Sequence, residues 1–164
     1  MNRRAEIGYR DAHCHLQDAR LRSLIDYGWV EEATSLGIVK CVVNGTRPED
    51  WDAVAELARR YPEQIVPSFG LHPWHVGKES RDWDSQLADL LEEFPNAGVG
   101  ECGLDRWIED YDLPAQEEAF RTQIRLARER NRPLSIHCLR AWGRMLEMLK
   151  EEDLPEVGFL LHSY

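Results

Sequence analysis

The sequence has no apolar run near the ~20 residues that a membrane-crossing helix needs. Arg3 and Arg4 stand near its start, but no apolar segment follows them as it would in a secretory signal. The expected location is therefore cytoplasmic. Basic residues are outnumbered: 20 Lys and Arg stand against 30 Asp and Glu, for a net charge of −10. That balance excludes a broadly basic nucleic-acid-binding surface. An anionic substrate would have to be held by a local site, most simply by metal ions. Cysteine is limited to Cys14, Cys41, Cys102 and Cys138, with no Cys-X-X-Cys pair among them. This spread does not suit a small disulfide framework and predicts reduced, buried thiols. No low-complexity tract and no Ser- or Gly-rich linker divides the chain. The rest is ordinary for one soluble domain: 164 residues, 43% hydrophobic and 30% charged. Residues 1–8 read as an N-terminal tail and 9–164 as the domain.

Strand and helix signals alternate along that domain. Short apolar runs rich in Val, Ile and Leu occur at YRDAHCHL, GIVKCVVNGT, QIVPSFGLHP, NAGVGECGLD, RPLSIHCL and EVGFLLHSY. Bounded by Gly, Pro or Asn, they suit buried parallel strands. Between them lie apolar stripes at helical spacing. One is Trp51, Val54, Ala55, Leu57 and Ala58, entered through a capping-box-like Thr46-Arg47-Pro48-Glu49. The others are Trp83, Leu87, Leu90, Leu91 and Phe94; Phe120, Ile124 and Ala127; and Trp142, Met145, Leu146 and Leu149. A further helical stretch from Asp18 to Leu36 should break near Gly28. Polar residues close the six strands at His15, Asn44, His72, Glu101, His137 and His162, at intervals of 29, 28, 29, 36 and 25 residues. Such a period marks βα units. It fits either a doubly wound sheet or a (β/α)8 barrel, although a barrel needs eight strands and typically about 250 residues.

The strand ends carry the chemistry. His13 and His15 sit two apart, so on a strand both imidazoles reach one face. That pair alone is a modest signal. Glu101, His137 and His162 add a carboxylate and two more imidazoles at three other strand ends. In a parallel α/β architecture these ends open on one mouth. Imidazoles with a carboxylate suit a divalent transition metal such as Zn or Mn. Cys14, Cys102 and Cys138 each follow a candidate ligand by one residue and should face outward, under the helices.

The motifs DAHCHL, GLHPWHV, GECGLD, SIHCLRA and LLHSY, in this order and spacing, resemble the TatD family of metal-dependent hydrolases. The resemblance runs from about Tyr9 to Tyr164. It implies a TIM-type (β/α)8 barrel, of which about six βα units are present. It also implies a two-metal site taking Mg, Mn or Zn, and a cytoplasmic enzyme that cuts phosphodiester bonds in DNA, as a DNase of the 3′ to 5′ exonuclease type. By that resemblance His13 and His15 bind the first metal, Glu101 bridges both, and His137 and His162 bind the second. His72 contacts the scissile phosphate. Arg140 binds phosphate too, one residue later than the Arg of many members. Asp105 supports the ligands, Asn44-Gly45 turns the chain, His75 is loop surface, and Asp11 is structural on the His13 face. The family pattern continues to a late ETD-like motif whose Asp binds the first metal and acts as general base. This sequence contains no match to that motif.

The resemblance implies two-metal hydrolysis, with the cations neutralising phosphate at the site. Salt should then weaken DNA binding only shallowly, and a slope equal to about eight phosphate contacts would contradict this. Two other readings stay open. Related amidohydrolases cleave amides and lactones on the same barrel, though those with a carboxylated lysine carry Lys where Glu101 stands. The other is a non-catalytic metal-binding module, with open edges at its first and sixth strands. No membrane or protein partner is indicated.

Overall fold

The computed structural model describes residues 8–26 and 28–162. Residues 1–7 of the expected tail, and the Ser163 and Tyr164 that end the last motif, lie outside these. Six strands are present: β1 (Tyr9–Cys14), β2 (Ile38–Asn44), β3 (Ile65–Phe69), β4 (Gly98–Asp105), β5 (Leu134–Leu139) and β6 (Phe159–Leu161). They form one parallel sheet in the order β1-β2-β3-β4-β5-β6. Order in space thus follows order in sequence, which a doubly wound sheet does not do. The sheet also curls. His13 of β1 and His162, just after β6, come from its opposite ends, yet their rings stack 3.8 Å apart. Sequential winding and curling together make this six units of a (β/α)8 barrel.

The helices α1 (Arg22–Asp26), α2 (Trp29–Ser35), α3 (Pro48–Arg60), α4 (Trp83–Glu93), α5 (Leu113–Glu129) and α6 (Trp142–Glu151) form the outer layer. Gly28, in the left-handed region at φ 94°, separates α1 from α2 where the sequence predicted a break. The core lies between helices and sheet. Trp51, Val54 and Leu57 of α3 and Phe120, Ile124 and Ala127 of α5 pack with Cys41, Val43, Val99, Cys102, Leu104, Ile136 and Cys138 of the strands. Cys102 and Cys138 therefore face the helices as expected, and Cys14 packs against the same core. All four thiols are free.

Several local expectations need correction. The cap of α3 falls one residue later than Thr46–Glu49. Arg47 is the N-cap, and the Asp50 carboxylate accepts from the Thr46 N–H (2.9 Å), the Thr46 hydroxyl (2.6 Å) and the Arg47 N–H (3.3 Å). On α6, Leu146 is 50% exposed and Met148 takes the buried place, because Met148, at i+3, shares the face of Met145, whereas Leu146, at i+1, is turned away from it. Glu101 does not end β4; it stands mid-strand, and Asp105 is the end. His72 lies three residues beyond β3, as N-cap of a short 3-10 turn, Pro73–His75. His75 closes that turn half-buried rather than lying on a loop surface.

Two register shifts matter for the site. Asp11 pairs with Cys41 but Cys14 with Val43, so β1 gains one residue on β2 around His13. Val99 pairs with Leu134 but Cys102 with Ile136, so β4 gains one residue on β5 around Glu101. Bulges of this kind re-aim side chains. The first turns Asp11 away from the His13 face. Its carboxylate instead lies within 4.8 Å of the Cys14 and Cys41 sulfurs.

Candidate metal centre

Glu101 is the hub of the inner face. Its side chain is 4% exposed, and five imidazoles surround it. On one oxygen, Oε2, are His13 Nε2 and His15 Nε2, each at 3.2 Å. On the other, Oε1, are His137 Nδ1 at 3.0 Å, His72 Nε2 at 3.3 Å and His162 Nε2 at 2.5 Å. Three backbone features allow this convergence: the two bulges, and the glycines around Glu101. Gly103 has φ +137°, and a Cβ there would overlap the His137 carbonyl oxygen. β4 and β5 can approach this closely only with glycine at that position.

The atoms behind each ring decide which nitrogen faces the centre. The His15 Nδ1–H donates to the Asn44 carbonyl at 2.8 Å, so Nε2 is the nitrogen turned to Glu101. The His137 Nε2–H donates to Asp105 Oδ2 at 2.9 Å, which turns Nδ1 inward. Such outer bonds fix the tautomer of metal-binding histidines and raise their basicity. His13 Nδ1 lies 2.9 Å from the Ser135 hydroxyl, again leaving Nε2 inward. His72 is the exception. Its Nδ1 accepts the Trp74 backbone N–H at 3.2 Å, so its Nε2 carries a hydrogen towards the centre. It therefore presents a donor, where His13, His15 and His137 can present a lone pair.

Electrostatics agree with this division. Burial alone would raise the Glu101 pKa, but bonds from His13, His137, His15 and His162 outweigh it and hold the carboxyl well below its usual range. The bond to Glu101 raises the His15 pKa. Burial opposes a charge on His137, but its bonds to Glu101 and Asp105 prevail and raise it. His72 goes the other way, since burial lowers its pKa and keeps it neutral. A buried carboxylate with imidazoles on both oxygens is a donor set for divalent cations, which bind the deprotonated ligands. Two triads, His13–Glu101–His162 and His72–Glu101–His137, each bring one ligand atom per residue within 4.8 Å of the others.

Sequence reasoning found the support from Asp105 and missed two others. Gln116 and Gln123, seven residues apart on one face of α5, are both buried. Gln123 accepts the Leu71 N–H at 2.8 Å and donates to the Leu71 carbonyl at 3.2 Å, holding the chain just before His72. Gln116 does the same for Asp105, at 2.9 and 3.0 Å. Two polar residues at i and i+7 inside an apolar stripe were the available signal. Asp105, fully buried, accepts from His137, from the Trp74 indole (2.7 Å) and from the Trp107 backbone N–H (2.6 Å). Arg140 lies outside the imidazole cluster. Its guanidinium stands over the Trp107 ring, 3.7 Å from the centroid.

The fold and this centre define a TIM-type metal-dependent hydrolase framework, and comparison with known proteins agrees. The chain belongs to the TatD related DNase family, whose model matches residues 10–164. It is 31% identical over 156 residues to the uncharacterized metal-dependent hydrolase YjjV of Escherichia coli, covering 94% of this chain and 59% of that protein. To the 3′-5′ ssDNA/RNA exonuclease TatD of Erwinia tasmaniensis it is 31% identical over 136 residues, covering 82% of this chain and 52% of that one. The crystal structure of the E. coli YjjV protein superposes with a TM-score of 0.81 at 30% identity, over 90% of this chain and 57% of that chain. The chain thus spans little more than half the length of these relatives. Among the described residues, no helix is long and apolar enough to cross a membrane.

Proposed function

We propose that this protein hydrolyses phosphodiester bonds in DNA, as a cytoplasmic 3′ to 5′ exonuclease, through two divalent cations held on either side of Glu101. The supporting observation is the division of Glu101: one oxygen faces His13 and His15, the other faces His137 and His162. His13 and His15 would hold the first cation through Nε2, and His137 Nδ1 with His162 Nε2 the second, Glu101 bridging them. Bound there, Mg, Mn or Zn would supply a polarised phosphate and a water of lowered pKa.

The chain's own residues do the rest. Asp105 keeps the Nε2 proton of His137 and so directs Nδ1 inward. Ser135 and the Asn44 carbonyl do the same for His13 and His15. His72, neutral and with its N–H inward, donates a hydrogen bond to a phosphate oxygen. Arg140, at the rim, adds positive charge for the neighbouring phosphate. The test is a 5′-labelled single strand incubated with Mn2+. Stepwise shortening from the 3′ end, lost in Glu101→Ala, is expected. An intact strand, with hydrolysis of an amide or lactone instead, would overturn the proposal.

A further inference from the structure

Two indoles stand in the open beside the centre. Trp74 is 47% exposed and Trp107 57% exposed. Large aromatics are normally buried, and these two are held outward by specific contacts. The Trp74 indole N–H donates to Asp105 Oδ2, the same oxygen that holds His137. Its ring meets His72 edge-on at 5.2 Å. The Trp107 backbone N–H donates to Asp105 Oδ1, and its ring carries the Arg140 guanidinium. One buried carboxylate therefore fixes a candidate ligand and both aromatics.

We propose that Trp74 and Trp107, with Arg140, form a nucleobase-stacking subsite that seats the unpaired bases flanking the bond at the Glu101 centre. This rests on the phosphodiester reading and adds what grips the strand. A chain of net charge −10 cannot hold a polyanion by a broad basic surface. Stacking needs no positive surface, because every base has a π-face. The aromatics are already ordered by Asp105 and Arg140, so little freedom is lost when a base arrives. Paired bases keep their faces inside the duplex, so the subsite selects single strands.

The test compares two fluorescent ten-unit strands joined by cleavage-resistant phosphorothioates, one of thymidines and one of abasic deoxyribose, each checked to be intact after the measurement. Affinity for the whole chain is read by fluorescence anisotropy with and without Mn2+. The base-bearing strand should bind roughly 5- to 150-fold more tightly per stacked base. Trp107→Ala, which keeps the backbone bond to Asp105, should remove most of that difference and leave the abasic strand's affinity unchanged. Trp107→Phe should keep it. Equal affinity for the two strands, or Trp variants that weaken both equally, would overturn the subsite. Loss of the Mn2+ dependence of abasic binding would instead overturn the metal-centre reading, with the base-dependent difference still legible. No binding of either strand would overturn both.

Discussion

Replacing Glu101 by Gln keeps the side chain's size and removes its charge. The carboxylate is 4% exposed and within 3.3 Å of five imidazole nitrogens. A cation present at 100 times its Kd stabilises the fold by about 2.7 kcal/mol. For a chain of this size each kcal/mol is worth roughly 2–4 °C, so Mn2+ should raise the Tm by roughly 5–10 °C. Losing even an outer partner of a metal ligand weakens affinity about 10- to 100-fold. The shared anionic ligand should cost at least the upper figure. At the same Mn2+ concentration the variant would then gain only about 0.4 kcal/mol, or roughly 1 °C. Calorimetry of both proteins, with EDTA and with Mn2+, reads this directly. An equal Mn2+ gain in wild type and Glu101→Gln would refute Glu101 as the hub of the centre.

Three further outcomes follow from the supports. Gln123→Leu strands the buried Leu71 N–H and carbonyl, at about 1–3 kcal/mol for each unpaired group. Urea unfolding should show the loss, and Mn2+ affinity should fall less than in Glu101→Gln. Gly103→Ala places a Cβ against the His137 carbonyl at φ +137°. It should cost on the order of 3 kcal/mol or more and show as a lowered melting point, whereas Gly143→Ala, with open space around it, should not. Glu117, with Arg144 bound at 2.8 and 2.9 Å, has its pKa held below 4.5 chiefly by that bond. Its contribution is complete above pH ~4.5 and lost as pH falls through the depressed folded value. The Tm gap between wild type and Glu117→Gln should therefore be widest above pH 4.5 and close in more acidic buffer.

How far the sequence could be read depended on the range of the cause. The βα repeat, the buried stripe of α3 and the outward Cys102 and Cys138 follow from local periodicity, and the structure carries them. The βα spacing likewise brought His13, His15, His137 and His162 to one carboxylate, although His137 stands inside β5 rather than at its end. What escaped depends on contacts distant in sequence. The place of Glu101 in mid-strand, beside a bulge, is one such case, although its part in the cluster was expected. Asp11 leaves the His13 face because another bulge turns it. Alternation predicts neither, since each is set by pairing with the neighbouring strand. Gln116 and Gln123 look like polar interruptions of a helix stripe until Leu71 and Asp105 are placed beside them. Arg140 as a phosphate binder follows from the family resemblance, and its seat on Trp107 depends on two loops meeting.

The most direct test of the proposed two-cation centre is anomalous diffraction from crystals of the protein grown with Mn2+. Two peaks should flank the Glu101 carboxylate, one beside His13 and His15 and one beside His137 and His162. Mn2+ peaks elsewhere, with none at Glu101, would contradict it.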